Sequence, residues 1–174
     1  MRVGILAALV ISILPVSTGA ETPDANTWSV DLVQLNGDQL GWGGVFLGMT
    51  RGEVESNLGQ ELPVELDRYV LSCGEYKSVV DLFGRKVQIQ WSSPESNGTV
   101  QSIWVPTTPA EHTTSVNDLV QRLTSRLTNL SQTHPADPED VAAVLGVPKN
   151  PRHQVMVKSI REHFLYVTLE ACFG

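Results

Sequence analysis

Few side chains in this 174-residue sequence have the chemistry for catalysis or metal binding, and their spacing matches none of the common site motifs. The four histidines are His112, His134, His153 and His163. No two of them have the i, i+4 spacing of a helical zinc site, and HExxH is absent. The nucleophile patterns Gly-x-Ser-x-Gly and Ser-x-x-Lys are also absent. We therefore expect no catalytic residues, no metal site, no cofactor and no enzyme activity.

One alternative stays open: a small hydrolase of the cell envelope, with a site assembled from a distant His and an Asp or Glu. Such a site needs an imidazole within hydrogen-bond reach of a carboxylate in the folded chain. Neighbouring carboxylates such as Asp137 and Asp140 do not indicate it by themselves, because acidic residues are favoured at helix N-termini without any catalysis.

The two cysteines, Cys73 and Cys172, predict a disulfide, because an even count in an exported chain favours pairing. The rival interpretation is that Cys73 is a nucleophile, which would need a nearby base to lower the pKa of its thiol. The nearest histidine along the chain is His112, well outside the local sequence around Cys73. The disulfide would tie the last residues of the chain to its middle.

Residues 1–20 predict a secretory signal peptide. Arg2 precedes an apolar run from Val3 to Leu14, and small residues lead up to Ala20. The run is shorter than the roughly 20 apolar residues that a membrane-spanning helix needs. No cysteine lies near Ala20, so we expect no stable membrane anchor after the signal is removed. Residues 21–174 would then form a periplasmic or secreted protein.

The chain is acidic, with 12 Lys and Arg residues, 19 Asp and Glu residues and a formal net charge of -7. Such a surface repels phosphate backbones, and no basic run or helical Lys/Arg stripe offsets it. We therefore expect no nucleic-acid binding. If charge guides a partner, that partner is basic; the other explanation is that the acidity only keeps the protein soluble.

The elements that must position these residues form, by prediction, a single α+β domain over residues 21–174. The stretch GMTRGEVESNLG contains the first helix start. Thr50 and Glu53 have the spacing of a capping box, in which each side chain binds the backbone N–H of the other. Gly59 is placed to end the helix.

Two further helices and several strands follow from the same rules. An apolar stripe after Ser115 predicts a helix over 115–130, and Asp137 with Gly146 frames another over 138–145. The alternation in KVQIQW is typical of a strand with one buried face. The predicted strands cover residues 28–35, 69–73, 77–83, 86–91, 100–105, 154–159 and 164–169. Because turns join most of them, we expect an antiparallel sheet with the short helices packed on one face.

Two diverged helix-plus-strands units, residues 40–106 and 115–174, would explain a repeated pattern in the chain. Five positions of the first helix match five later ones at a constant offset of 87, namely Thr50, Glu53, Val54, Leu58 and Gly59 with Asp137, Asp140, Val141, Leu145 and Gly146. Coincidence of common capping chemistry would also explain the match.

GMTRGEVESNLG, followed by a hairpin-rich segment containing VQIQW, resembles the SmpA/OmlA family of small outer-membrane assembly proteins. It also resembles the related β-lactamase-inhibitor-protein fold, in which such units occur in tandem. The match covers residues 44–105. The resemblance implies short helices on one face of an antiparallel sheet, no cofactor, and protein contact rather than catalysis. SmpA/OmlA proteins carry a lipidated cysteine after the signal, where this chain has Ala20-Glu21.

The candidate partner-binding residues are Trp42, Gln88, Gln90 and Trp104. In a regular hairpin Trp91 and Trp104 lie opposite each other and both belong to the core. A bulge near Pro94 would instead turn Trp104 toward the face of Gln88 and Gln90. A polar sheet face with an exposed aromatic residue is typical of a protein-binding surface. Trp42 lies among glycines and is the second candidate for exposure.

These features together predict an exported, non-catalytic protein-binding module of the bacterial cell envelope. Its role would be of inhibitor, immunity or assembly type. Its partner would be another envelope or secreted protein. A structural envelope protein without a discrete partner is a further hypothesis.

Overall fold

The computed structural model describes residues 27–68, 74–137, 142–160 and 164–171. Within these ranges the side chains of 134–137, 142, 159–160 and 164–168 are not described. The predicted signal peptide, the predicted strand at 69–73 and both cysteines of the predicted Cys73–Cys172 disulfide lie outside the described residues. These remain predictions from the sequence.

The fold is α+β, as predicted, and its described part contains two α-helices and two antiparallel sheets. The helices are α1, Arg51–Leu58, and α2, Val116–Arg126. The small sheet comes first in the chain and consists of β1, Val33–Asn36, β2, Gln39–Trp42, and β3, Val45–Phe46.

The large sheet has eight strands in the order β4-β5-β6-β7-β11-β10-β9-β8. Their bounds are β4 Glu65–Leu66, β5 Tyr76–Leu82, β6 Arg85–Trp91, β7 Val100–Pro106, β8 Ser131–Asp137, β9 Ala142–Val147, β10 Asn150–Ile160 and β11 Phe164–Glu170. All neighbouring strands are antiparallel. Each half of the sheet is therefore a four-stranded meander that follows a helix, and the halves join where β7 pairs with β11.

Both helices begin at their predicted N-caps. Thr50 Oγ1 accepts the backbone N–H of Glu53 at 3.3 Å, and Glu53 Oε2 accepts the N–H of Thr50 at 2.7 Å. The hydrogen bonds that the Thr50 N–H and hydroxyl groups donate to Glu53 Oε2 lower the pKa of the Glu53 carboxyl. Ser115 caps α2 by accepting the N–H of Asp118 at 3.1 Å. The second helix ends at Arg126, earlier than predicted.

The predicted helix over 138–145 is wrong for residues 142–145, because β9 occupies Ala142–Val147, and residues 138–141 lie outside the described residues. Ala143, Leu145 and Val147 are buried at every second position, which is the period of a strand. Pairing with β8 and β10 outweighs the local helix signals of this segment. Gly146, predicted as a helix end, lies within the sheet, where a Cβ would come within 2.9 Å of the Thr133 side chain.

The offset of 87 therefore compared α1 with a strand, and α2 is the helix that occupies the equivalent place in the second half. Thr50 and Ser115 are both N-caps whose side chains accept from the third residue of the helix. Val54 and Leu119 each lie four residues after the N-cap and are both fully buried. The observed correspondence thus pairs Thr50 with Ser115 and not with Asp137.

The predicted strand at 28–35 begins only at Val33, because Ser29–Leu32 forms a 3-10 helix. Its turn is closed by a hydrogen bond from the Asp31 N–H to the Trp28 carbonyl at 2.9 Å. Val30 and Val33, three residues apart, are both fully buried, which a strand could not arrange on one face.

The core lies on one face of the large sheet. The second helix packs against β9 and β10, and the small sheet packs against β10 and β11. The sheet contributes alternate buried residues to this face, including Val87, Ile89, Trp91, Ile103, Val155, Val157 and Leu169. Leu119 and Leu123 of α2 and Leu40 of β2 are fully buried as well. The residues between the alternate buried positions therefore point to the opposite face, which we call the helix-free face.

Candidate functional site

The register of the β6–β7 hairpin places Trp104 on the helix-free face. Gln88 pairs with Trp104 and Gln90 with Ser102, but Trp91 pairs with Val100 after a register shift. Of the two alternatives, the one with a bulge is correct and the facing Trp pair is wrong, but the extra residue is Gln101 of β7 and not one near Pro94. Trp91 stays in the core, where its Nε1–H donates to Ser78 Oγ at 2.9 Å. The extra residue in β7 turns every later β7 side chain to the other face.

A row of partly exposed residues crosses the helix-free face at one level of the sheet. The pairings between β5 and β9 align Val79 with Gln88, Gln88 with Trp104, and Met156 with Val144, and they place Thr168 between Trp104 and Met156. We call Val79, Gln88, Trp104, Met156 and Val144 the exposed row. Val79 is 47% exposed, and the other four are half-buried. The row is mainly apolar, and Trp104 lies near its middle.

The next level of the sheet, toward the β5–β6 turn, is charged. Asp81 of β5 lies opposite Lys86 of β6. Lys86 Nζ is 3.2 Å from Asp81 Oδ2, and both side chains are exposed. Lys158 of β10 lies at the same level, since it pairs with Tyr166, which pairs with Pro106 of β7. Its side chain is exposed. Charged side chains thus border the exposed row on this side.

A buried polar network borders the row on its opposite side. Asp67 accepts hydrogen bonds from Gln90 Nε2 at 3.0 Å and Gln88 Nε2 at 3.4 Å, and lies 3.4 Å from Lys77 Nζ. Gln90 Oε1 accepts from Ser102 Oγ at 2.6 Å. The pairing of neutral amides with one carboxylate and one ammonium satisfies groups that burial would otherwise penalise.

Gln90 was predicted to be exposed on a binding surface, and this prediction is wrong. It is 1% exposed, because Asp67 after β4 and Gly74 before β5 lie against it. Gly74 lies so close that a Cβ there would be 3.0 Å from Gln90 Cβ, and Gly74 has a φ of 117°. Glu170, level with Ser102 on β11, is also buried, and burial raises the pKa of its carboxyl. Gln88 and Trp104 remain accessible.

Trp42 was also predicted to be exposed, and it is fully buried. Its Nε1–H donates to the Ser29 carbonyl at 2.8 Å, and its ring meets Phe83 edge-on at a centroid distance of 5.6 Å. The glycines beside it serve close packing rather than an open loop. A Cβ at Gly43 would lie 2.6 Å from Phe83 Cε2, and a Cβ at Gly41 would lie 2.4 Å from Phe46 Cδ1.

A buried ion pair that the sequence did not indicate fastens the start of the described chain to the sheet. Arg85 of β6 donates to Glu111 Oε2 at 2.9 Å, and both side chains are almost fully buried. Glu111 also accepts from the N–H and hydroxyl groups of Ser29 and of Thr108. Burial raises the pKa of Glu111, but the hydrogen bonds from Ser29, Thr108 and Arg85 outweigh it, so the pKa is lowered overall.

A second ionic contact joins the same segment to α2. Asp31 accepts from Arg122 Nε at 2.7 Å and from Arg122 Nη2 at 2.6 Å, and Arg126 Nη1 lies 3.7 Å from Asp31 Oδ1. The Arg122 guanidinium also lies 4.8 Å from the centre of the Trp28 ring. The hydrogen bonds with Asp31 raise the pKa of Arg122. These residues hold the segment in place from outside the core.

The positions of the histidines bear on the hydrolase alternative, which needs an imidazole within hydrogen-bond reach of a carboxylate. His153 is buried, and its Nδ1 accepts the backbone N–H of Leu40 at 3.3 Å. His112 is half-buried in the 3-10 helix Glu111–Thr113. The His134 side chain and all of His163 lie outside the description. The described residues include no group of three His, Cys, Asp or Glu side chains placed to hold a metal ion.

His153 is expected to make folding stability depend on pH. Burial lowers the pKa of His153 below its ordinary value of 6.5, so the unfolded chain takes up this proton first as the pH falls. The stability contributed by neutral His153 is complete above about pH 6.5 and is lost as the pH falls through the lower folded-state pKa. The Glu111 contribution is lost only at more acidic pH, because its pKa is lowered from 4.5.

Urea unfolding at about pH 7.5 and about pH 5.5 checks this, because the interval brackets the ordinary His pKa. We expect the wild type to lose more unfolding free energy over that interval than His153→Gln, which keeps a neutral acceptor for the Leu40 N–H. Equal losses in the two proteins would contradict a role for His153. Titration of Glu170, with its raised pKa, acts in the opposite direction and is common to both proteins.

Thr50 and Glu53 border an open groove between α1 and the loop at Ser96 and Asn97. Their polar groups already bind each other's backbone amides, so the stretch acts as a helix start. Among the described helices, none is long and apolar enough to cross a membrane. Comparison of the chain with protein-family models, curated proteins and solved structures gave no match.

Proposed function

We propose that this chain is an exported, non-catalytic protein-binding module of the bacterial cell envelope, and that it binds its partner through the exposed row. The observation that carries the proposal is the position of Trp104, half-buried near the middle of a mainly apolar row on the face that no described helix covers. The function rests on this surface and not on a catalytic group.

The composition of the row supports the proposal. Tryptophan and methionine are enriched at the centres of protein interfaces, and charged residues are concentrated at their rims. Trp104 and Met156 lie inside the row, and Asp81, Lys86 and Lys158 lie on its charged side. A Trp that keeps part of its ring in solvent can bury the remainder against a partner.

The support beneath the row favours binding without large rearrangement. The residues next to the row in β6 and β7 point into the core and are fully buried, namely Val87, Ile89 and Ile103. The network of Asp67, Gln90 and Ser102 adds hydrogen bonds at one side. Side chains fixed on a rigid sheet lose less conformational entropy on association than side chains on a loop.

The resemblance to SmpA/OmlA proteins and to the β-lactamase-inhibitor-protein fold belongs to the same proposal. Two meanders, each following a helix with the same type of N-cap, are the tandem arrangement that this resemblance implies. An inhibitor, immunity or assembly role would each use a protein-binding sheet face. The partner we propose is another envelope or secreted protein, and a basic one, since removal of Arg2 with the signal would leave a formal charge of -8.

The test is recovery of a partner from periplasmic extract by the immobilised mature chain. We expect Trp104→Ala to lower the recovered amount at least about tenfold, because truncation of a central Trp removes a typical hot spot. Leu66→Ala removes an apolar side chain that is 58% exposed outside the row, and it should recover as much as the wild type. Equal recovery by wild type and Trp104→Ala would overturn the assignment of this surface.

A further inference from the structure

The outer edge of β5 is unpaired over most of its length in the described part of the chain. The two-residue strand β4 pairs only with the beginning of β5, through Glu65 with Lys77 and Leu66 with Tyr76. Among the described residues, the five from Ser78 to Leu82 have a strand partner on one side only, which is β6. A sheet edge of this kind offers backbone groups to another strand.

The backbone groups that point outward on this edge belong to Val79 and Asp81. Leu82 and Arg85 close a two-residue hairpin with positive φ at Phe83 and Gly84, so Leu82 and every second residue before it bind β6. The other side of the strand agrees, because the Asp67 N–H donates to the Glu75 carbonyl at 2.8 Å. The backbone groups of residues 75, 77, 79 and 81 therefore face outward, and Asp67 and β4 occupy the first two.

The opposite edge of the sheet has protection that β5 lacks. The strand β8 contains Pro135, and its pairing with β9 shifts register twice. Proline and bulges are common means of blocking edge-to-edge pairing. The β5 stretch Ser78–Leu82 has neither a proline nor a register shift.

Apolar exposure is concentrated at the same edge. The exposed large hydrophobic residues in the described part of the chain are Leu66 at 58%, Val79 at 47% and Phe83 at 38%. Leu66 belongs to β4, Val79 to β5, and Phe83 follows β5 directly. Phe83 also has a φ of 54°, which is unfavourable for a bulky residue.

We infer that a second copy of this chain pairs antiparallel with the free edge of β5 about a two-fold axis at Val80. In this register Val79 of each copy lies opposite Asp81 of the other, and the two outward-facing free residues satisfy each other by two N–H···O bonds per pair. A two-fold axis at Val79 would instead need Lys77, which is already paired with Glu65. The free stretch is therefore self-complementary in one register.

Charge does not oppose a second copy at this position, although the chain as a whole is acidic. Asp81 already has Lys86 at 3.2 Å, so this stretch of the edge brings no net charge to the interface. The register places no two carboxylates directly opposite, because each Asp81 faces a Val79. An isologous contact of this kind joins the two sheets into one continuous sheet. The inference concerns an edge and needs no partner protein, so it stands or fails separately from the proposed function.

The test is sedimentation equilibrium of the mature chain from about 5 to about 500 µM, the range in which small interfaces associate. We expect a monomer–dimer equilibrium in the wild type. Val79→Asp should weaken dimerisation at least about tenfold, because it puts two carboxylates opposite each other. Val79→Lys removes the same side chain but faces Asp81, and should stay within about threefold of the wild type.

The controls separate register from net charge and from folding. Gln132→Asp and Gln132→Lys make similar charge changes at an exposed position on β8 and should leave dimerisation unchanged. Val79→Pro removes an outward N–H without a bond to β6, so it should abolish the dimer while circular dichroism stays native. A wild type that is monomeric up to about 500 µM, or equal effects of Asp and Lys at residue 79, would overturn the inference.

Discussion

Replacing Glu111 with alanine is expected to lower the free energy of unfolding by about 3–5 kcal/mol, the typical cost of breaking a buried ion pair. The change leaves the Arg85 guanidinium buried without its carboxylate, and it removes the acceptor for Ser29 and Thr108. Urea denaturation at pH 7 measures the loss. The matched control is Asp81→Ala, which breaks an exposed pair with Lys86 and should cost no more than about 1 kcal/mol.

Two further measurements identify the cause of that loss. The double variant Arg85→Met with Glu111→Leu should recover part of the stability, because it removes the unpaired guanidinium charge but still leaves Ser29 and Thr108 without their acceptor. Since the pKa of Glu111 is lowered from 4.5, its stabilisation is present above that pH and is lost as the pH falls through the folded-state pKa. A Glu111→Ala loss as small as that of Asp81→Ala would show that the pair contributes little.

Trp42→Ala is expected to cost about 3–5 kcal/mol, because it leaves a cavity where a fully buried indole packs against Phe83. It also leaves the Ser29 carbonyl without its donor. Trp42→Phe keeps a ring but not the Nε1–H, so it should cost less, at about 1–3 kcal/mol. Chemical denaturation of both variants measures the difference.

Trp104→Ala is the natural comparison, since Trp104 is only half-buried and lies on the helix-free face. We expect it to destabilise the fold less than Trp42→Ala and to lose partner binding more. The reverse order, with Trp104→Ala the more destabilising variant, would mean that Trp104 serves mainly the fold. The two tryptophans thus separate a role in the core from a role at the surface.

The helix starts were predictable because their causes are local. Thr50 with Glu53 and Ser115 with Asp118 meet within three residues, and the side chains bind the backbone positions that the sequence indicates. The strands with strict alternation, above all β6, were predictable for the same reason. The α+β class followed from these local elements and the turns between them.

The errors came from causes that are not local. The run Ala142–Val147 has helix-like flanks, but its residues pair with β8 and β10, and that pairing decides its structure. Trp104 depended on one extra residue in β7, which the sequence allowed without requiring. Trp42 was misplaced because its glycines make room for Phe83, far along the chain.

The Arg85–Glu111 pair had no signal in the sequence at all. The pair and its neighbour Ser29 come from three separate segments of the chain. Residues of all three types are usually found at protein surfaces. Only the three-dimensional arrangement brings them together in a buried place.

The junction between β7 and β11 sets the order in which the molecule can be completed. Val105 pairs with Val167, so the strand that closes the middle of the large sheet is the last of the described strands in chain order. Until β11 is in place, β7 and β10 would each have an open edge at the middle of the sheet. Pairing of strands that lie far apart in the sequence is a slow step in folding. The native centre of the sheet therefore forms only when both meanders are present, so the β7–β11 pairing couples the folding of the two halves.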